Sequence, residues 1–164
     1  MATRRLVSFL EQNRVGYRMA EHRATYTAMR TAQETHVKGA EMAKCVALMA
    51  DGHPVLAVMP ANMAVSFKRM KELMGAKEVS LIDERKLPEY FPDCETGAMP
   101  PMGVMYHMDM VADKALMRDE RISFNAGTHK EIITMAFRDW LRLSHPRFAD
   151  IHRMGARMHS VYGM

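Results

Sequence analysis

The sequence predicts one α/β (α+β) domain built around a central hairpin, on three observations. The chain has 164 residues, the size of a single domain. Two apolar runs, Ala43 to Ala50 and Val55 to Met59, flank Asp51-Gly52-His53-Pro54, and an Asp-Gly pair in that position signals a β-hairpin. Both runs are apolar on both faces (Val46 and Leu48 against Ala47 and Met49), so these strands are expected to be covered on two sides at the centre of a sheet.

The remaining elements follow in order. Thr3 can cap a first helix running to about Asn13, with Leu6, Val7 and Leu10 on one face and Gly16 beyond its end. Tyr17 to His22 reads as a short extended segment. Thr27 caps a second helix whose thin apolar face, Met29 and Ala32, marks it as a surface helix. Ser66 caps a third, with Phe67, Met70, Leu73 and Met74 as its buried stripe and Gly75 as its stop. A short strand over Glu78 to Ile82 and a short helix over Asp83 to Tyr90 come next.

Met102 to Val111 alternates as a strand that puts Met102, Val104, Tyr106, Met108 and Met110 on one face. Asp113 to Met117 is a helical turn. Arg121 to Asn125 and Glu131 to Met135 are strands joined by Asn125-Ala126-Gly127-Thr128-His129, and Ala136 to Leu143 is a helix carrying the single tryptophan, Trp140. From Ser144 onward arginine and histidine gather among few acids, and Ile151, Met154 and Met158 suit one more amphipathic helix. The expected division is a domain over residues 1–143 and a basic, helical tail over 144–164.

Composition narrows the function classes. Apolar residues make up 48% of the chain, enough for a real core, yet no run is long enough to span a membrane. The N-terminal stretch lacks the apolar segment of a signal peptide. Cys45 and Cys94 offer neither metal-ligand spacing nor a disulfide framework, and a reducing cytoplasm is the expected location. A net charge of +4 is compatible with an anionic partner such as RNA. Nineteen methionines read first as adaptable core fillers; a Cu(I) site would need several of their thioethers to converge. No metal or cofactor is expected.

Thr96-Gly97-Ala98-Met99-Pro100-Pro101-Met102-Gly103 is the stretch with most chemical potential. Each proline fixes its own φ and pushes the residue before it out of the helical region, so the loop should be stiff. Gly97 lets the backbone approach a ligand closely. A stiff loop presenting N–H groups can seat an ester carbonyl or a phosphate, although Gly-Ala-x-Pro-Pro is more often a plain turn. Lys44, at the entrance of the first hairpin strand, is either an exposed strand end or a cation at a pocket rim. His129, at a loop tip, is either exposed or a ligand contact.

Taken in order, these residues resemble a family. His22-x-x-Thr25-Tyr26-Thr27-Ala28, Ala43-Lys44, Lys68-x-x-x-x-Leu73-x-Gly75-Ala76-Lys77, Gly97-Ala98-x-Pro100-Pro101-x-Gly103 and Asn125-Ala126-Gly127-Thr128-His129 are similar to the YbaK/ProX-type aminoacyl-tRNA deacylases, which include the editing insertion of bacterial prolyl-tRNA synthetases. The match covers roughly residues 15 to 143. The resemblance implies a curved, mixed, partly barrel-like sheet with flanking helices, and hydrolysis of the ester between a wrong amino acid and its tRNA.

It implies Lys44 as the key polar residue, with Gly97 and Ala98 supplying N–H groups to the carbonyl oxygen. His22, Tyr26, Cys45, Met99, Pro100, Pro101, Asn125, Gly127 and His129 would contact substrate. The expected reaction is trans-editing of a tRNA carrying a small amino acid (alanine, cysteine or serine). The alternative is a non-catalytic module of the same fold that binds an aminoacyl ester, a nucleotide or RNA. Expected partners are aminoacyl-tRNA and a synthetase, with Arg147, Arg153 and Arg157 helping to hold them; no membrane and no DNA partner is expected. Several members related to proline editing carry asparagine after the lysine, where this chain has Cys45.

Overall fold

The structure, a computed structural model, describes residues 2–35, 37 and 41–153. Its centre is the expected hairpin, β2 (Ala43–Ala50) against β3 (His53–Pro60), in antiparallel register from Ala43↔Pro60 to Ala50↔His53. Asp51 (φ 48°) and Gly52 (φ 83°) both take left-handed backbone, which gives the turn the twist of its strands.

Alternation sends the two faces of the hairpin into two cores. Cys45, Ala47, Leu56 and Val58 face the larger one, with Leu6, Phe91, Phe124 and Trp140. Val46, Leu48, Val55 and Ala57 face the second, where Val65, Met70 and Ile151 cover them. The hairpin is therefore covered on both sides.

Around it lie α1 (Ala2–Gln12), β1 (Tyr17–Glu21), α2 (Ala28–Thr35), α3 (Phe67–Met74), β4 (Val79–Leu81), α4 (Leu87–Tyr90), β5 (Asp109–Asp113), β6 (Arg121–Asn125), β7 (Glu131–Ala136), α5 (Phe137–Ser144) and β8 (Arg147–Ala149). One sheet runs β4-β2-β3-β5-β8, with β5 parallel to both β3 and β8; the other runs β1-β7-β6, all antiparallel. A parallel bridge between Met42 and Ser123 joins the two at the start of β2, so the whole is a curved mixed sheet that does not close into a barrel. Two of the three expected caps form: Thr27 Oγ1 accepts from Arg30 N–H, Ser66 Oγ accepts from Arg69 N–H, and left-handed Gly75 ends α3, whereas Thr3 lies inside α1 and its hydroxyl donates to Ala126 O instead of capping the helix.

Two expectations are corrected. Met102 to Val111 is not one strand: Gly103–Tyr106 is a 3₁₀ turn and β5 begins only at Asp109. His107 turns left-handed (φ 52°), and Met108 N–H returns to Gly103 O at 3.0 Å. A Cβ on Gly103 would stand 2.3 Å from Met108 O, so this fold-back requires glycine. Met102, Met105, Met108 and Met110 are all buried in the larger core; their pattern reported burial, not extended geometry.

The second correction concerns the start of the tail, which is strand rather than helix over Arg147–Ala149. His145 takes left-handed backbone (φ 47°) ahead of Pro146 and ends α5. Fully buried Asp113 then fastens the segment: its Oδ1 accepts from Ala115 N–H, and its Oδ2 from the backbone N–H groups of Ile151 and His152 and from His152 Nδ1. Asp113, Asp150 and His152 bring ligand-type atoms within 4.8 Å of one another, but with both Asp113 oxygens already taken by N–H donors the group is a clasp for the chain. Met154, Arg157 and Met158 lie outside the described residues. Among the described residues no helix is long and apolar enough to cross a membrane.

Candidate active site

Two loops more than thirty residues apart in sequence are laced together. Glu95 N–H donates to Gly127 O (2.8 Å) and Gly127 N–H to Ala98 O (3.0 Å). His129 N–H donates to Glu95 Oε1 (2.9 Å), and His129 Nε2 to Thr96 O (2.8 Å). Gly97 (φ 86°) and Gly127 (φ 98°) take the left-handed backbone that the crossing needs. A third segment closes the group: His22 N–H donates to Lys130 O (2.8 Å) and Thr25 N–H to His129 O (3.1 Å). The Tyr26 ring lies 4.7 Å from that of His129, tilted by 46°. From below, the Thr3 hydroxyl of α1 donates to Ala126 O (2.7 Å).

His129 is thus no exposed loop tip; it is 6% exposed, beneath a largely exposed Tyr26. The Ala98 N–H donates to Glu95 O at 3.0 Å and closes a tight turn, so of the two amides expected to face a carbonyl, Gly97 N–H is the one left without an acceptor among the described residues.

Lys44 is partly buried and forms no ion pair or hydrogen bond with this group. Burial pushes its ammonium down to about 8 from the ordinary lysine value of 10.5. The Met42↔Ser123 bridge is parallel, so two residues further along both strands Lys44 and Asn125 emerge on the same face of the sheet. That face also carries Met42 and Ile132, under Ala32 of α2. Lys44 therefore stands on the Asn125 face of β2, and Cys45 points the other way, into the larger core.

Cys45, Met99, Pro100 and Pro101 are all buried on the core side. Cys45 and Met99 belong to the larger core, and Pro101 O accepts the Trp140 indole N–H (2.9 Å). Burial raises the Cys45 thiol far above its usual range. These four residues back the loop, whereas Gly127 and His129 cross it through hydrogen bonds, and Tyr26 and the His22–Thr25 segment pack against His129 and its neighbour Lys130.

Sequence reasoning missed Glu95, whose backbone N–H and carboxylate each make one of the four crossing bonds. No local pattern marks it, since its partners are more than thirty residues away. It also missed a hollow of about 380 Å³ beside Thr25, lined by Arg23, Ala24, Arg30 and Gln33. Arg23 fills an unspecified position of the His22-x-x-Thr25 stretch, which gave it no weight.

Residues 22–143 match the family model described as the aminoacyl-tRNA editing domain. The chain belongs to that family. Among solved structures it is similar to a candidate trans-editing enzyme for prolyl-tRNA synthetase, at 18% identity and a TM-score of 0.82, covering 93% of this chain and 97% of the other. It is similar to the hypothetical protein APE2540 at 19% identity and a TM-score of 0.81, covering 90% and 99%. A protein from Marinobacter aquaeolei assigned to signal transduction matches at 13% identity and a TM-score of 0.69, covering 90% of this chain but 30% of its own length. At such identities these likenesses speak for the fold alone. No curated protein matches the sequence.

Proposed function

We infer that this chain is a trans-editing deacylase that hydrolyses the ester of a mischarged tRNA carrying a small amino acid. One observation carries the reading: the unpaired Gly97 N–H sits on a loop locked by four hydrogen bonds between Glu95–Ala98 and Gly127–His129, in a chain of the editing-domain family. Ester hydrolysis develops negative charge on the carbonyl oxygen, and a donor that need not reorganise stabilises that charge best. Gly97 N–H has this role in the reading, with Ala98 closing the turn that aims it. Lys44 acts as a point charge on the same face of the sheet as Asn125, holding the terminal phosphate or the carbonyl oxygen. Water is the nucleophile, positioned by the ribose hydroxyl next to the ester.

His22, Tyr26, Asn125, Gly127 and His129 line the seat for the aminoacyl group. Cys45, Met99, Pro100 and Pro101 act from behind, by fixing the loop. A small side chain suits a loop crossed this closely by its neighbours. Arg23 and Arg30 add positive charge beside Thr25, where the nucleotide chain would leave the site.

The test is a panel of alanyl-, cysteinyl-, seryl- and cognate prolyl-tRNAs incubated with the purified chain. Accelerated release of at least one small amino acid, slowed about a hundredfold in Lys44→Ala, is expected. If the chain instead protects every ester, it is a binding module and the deacylase reading fails.

A further inference from the structure

Among the described residues five buried side-chain atoms have no hydrogen-bond partner: His22 Nε2, Asn62 Oδ1, Asp119 Oδ2, Asn125 Oδ1 and His129 Nδ1. Burying a polar atom without a partner is costly, and native folds avoid it except where something else satisfies the atom. Three of the five fall at one end of the β1-β7-β6 sheet. Asn125 is the last residue of β6, and His129 lies in the loop from β6 to β7. His22 continues β1 by one paired residue, through its N–H to Lys130 O. Asn125 and Ala20 both pair with Ile132, so Asn125 and Ala20 share a face, and His22, two residues beyond Ala20, points the same way.

The chemical character of these atoms follows from their partners. His22 Nδ1 is 2.6 Å from Arg23 O, and a carbonyl oxygen can only accept, so the proton is on Nδ1 and Nε2 carries a lone pair. His129 Nε2 is 2.8 Å from Thr96 O, so the proton is on Nε2 and the lone pair on Nδ1. Asn125 Oδ1 is a carbonyl oxygen. All three orphans are acceptors, and among the described residues no donor is bonded to any of them. His129 is more than nine-tenths buried.

We propose that His22 Nε2, Asn125 Oδ1 and His129 Nδ1 form a seat for the α-ammonium of the aminoacyl ester. A primary ammonium offers three N–H donors, one for each acceptor, and charge strengthens each bond. It is one carbon away from the ester carbonyl, and His129, which carries one seat atom on Nδ1, is tied by Nε2 to the loop that holds Gly97, at Thr96 O. The proposal rests on the deacylase reading and adds to it a selectivity: the site accepts esters of free α-amino acids, and rejects α-hydroxy and N-acylated esters of the same size. The hydroxy analogue has one donor and no charge, so two acceptors stay buried and unpaired.

The test compares alanyl-tRNA with lactyl-tRNA and N-acetylalanyl-tRNA on the full chain. Wild type is expected to cleave alanyl-tRNA faster by about tenfold or more, the scale of one charge-assisted hydrogen bond. In Asn125→Leu and His22→Phe the alanyl rate should fall by a larger factor than the lactyl rate, so that the ratio between them shrinks. Equal wild-type rates on the three esters overturn the proposal and leave the deacylase reading standing. So does an equal loss on alanyl and lactyl esters in both variants, which is what a purely structural role would give. If no ester is cleaved at all, the deacylase reading fails. Titration with the uncleavable amide 3′-alanylamino-3′-deoxyadenosine and its lactyl counterpart then decides the seat: tighter binding of the alanyl compound supports it, and equal or absent binding overturns it.

Discussion

Asp113 and His129 are both buried polar side chains, but they are satisfied differently. Asp113 receives four N–H bonds, three of them from backbone, and nothing about it is left open. His129 spends its backbone and one ring nitrogen on holding two loops together and leaves the other ring nitrogen unpaired. A saturated buried group specifies structure, whereas an unsaturated one, grouped with others of the same kind, marks a place for a ligand. Lys44 resembles His129 in being unsatisfied, a half-buried cation without a counter-ion among the described residues.

The contrast can be broken most sharply at Asp113. Asp113→Ala should cost about 3–5 kcal/mol, because several N–H groups would stay buried without an acceptor. In a thermal melt that is a drop of roughly 10 °C or more. Deacylation measured well below the melting point should stay close to wild type. A variant that melts normally would remove the clasp from the account of the fold.

Lys44→Ala should do the reverse. Activity is expected to fall by about a hundredfold in kcat/KM, the scale of one lost electrostatic contact to a developing oxyanion. The melting temperature should be unchanged or raised, since the substitution removes a desolvated charge. Loss of stability together with activity would place Lys44 among the structural groups. Glu95→Ala comes next in size. Freeing the His129 N–H should cost roughly tenfold in activity, about 1.4 kcal/mol, with little effect on the melt because Glu95 is largely exposed.

How much of this was legible in the sequence depended on range. The hairpin was readable because Asp51-Gly52 and the two-faced apolar runs are local signals. The caps Thr27 and Ser66 and the stop at Gly75 were readable for the same reason. The Met102–Met110 alternation misled: the buried Met102, Met105 and Met108 are spaced by three, the period of a 3₁₀ turn, and Val104 of the expected inner face is exposed. Strand β8 was hidden because what holds it, Asp113, is more than thirty residues away. The family resemblance named a candidate set of residues, including Lys44, Gly97 and His129. The site was not legible as geometry: nothing local showed that Ala98 spends its amide on Glu95 O, that Met99 and Cys45 face the core, or that Glu95 holds the crossing. The same long-range lesson bears on the basic tail. Deleting from residue 145 would remove β8 and fully buried Ile151, so only a cut after Arg153 can ask whether Arg157 and its neighbours hold tRNA. If they do, that cut should flatten the salt dependence of tRNA binding.

The smallest expected effect is on pH dependence, and it separates the two kinds of buried group once more. The folded-state value of Lys44 is lowered, to about 8, so between about 8 and 10.5 the unfolded chain holds a proton there that the folded chain has released. Stability therefore rises with pH through that window, and the cost of burying the charge is present in full below it. Activity moves in the opposite sense. If the protonated ammonium holds the phosphate or the carbonyl oxygen, kcat/KM corrected for spontaneous ester hydrolysis should decline as pH rises through about 8, where an ordinary lysine would still be charged. Lys44→Arg keeps a charge at every accessible pH. It should lose part of the activity through its different shape, but the decline above pH 8 should disappear. A wild-type profile that stays flat up to pH 9.5 would mean that the charge on Lys44 takes no part in the reaction.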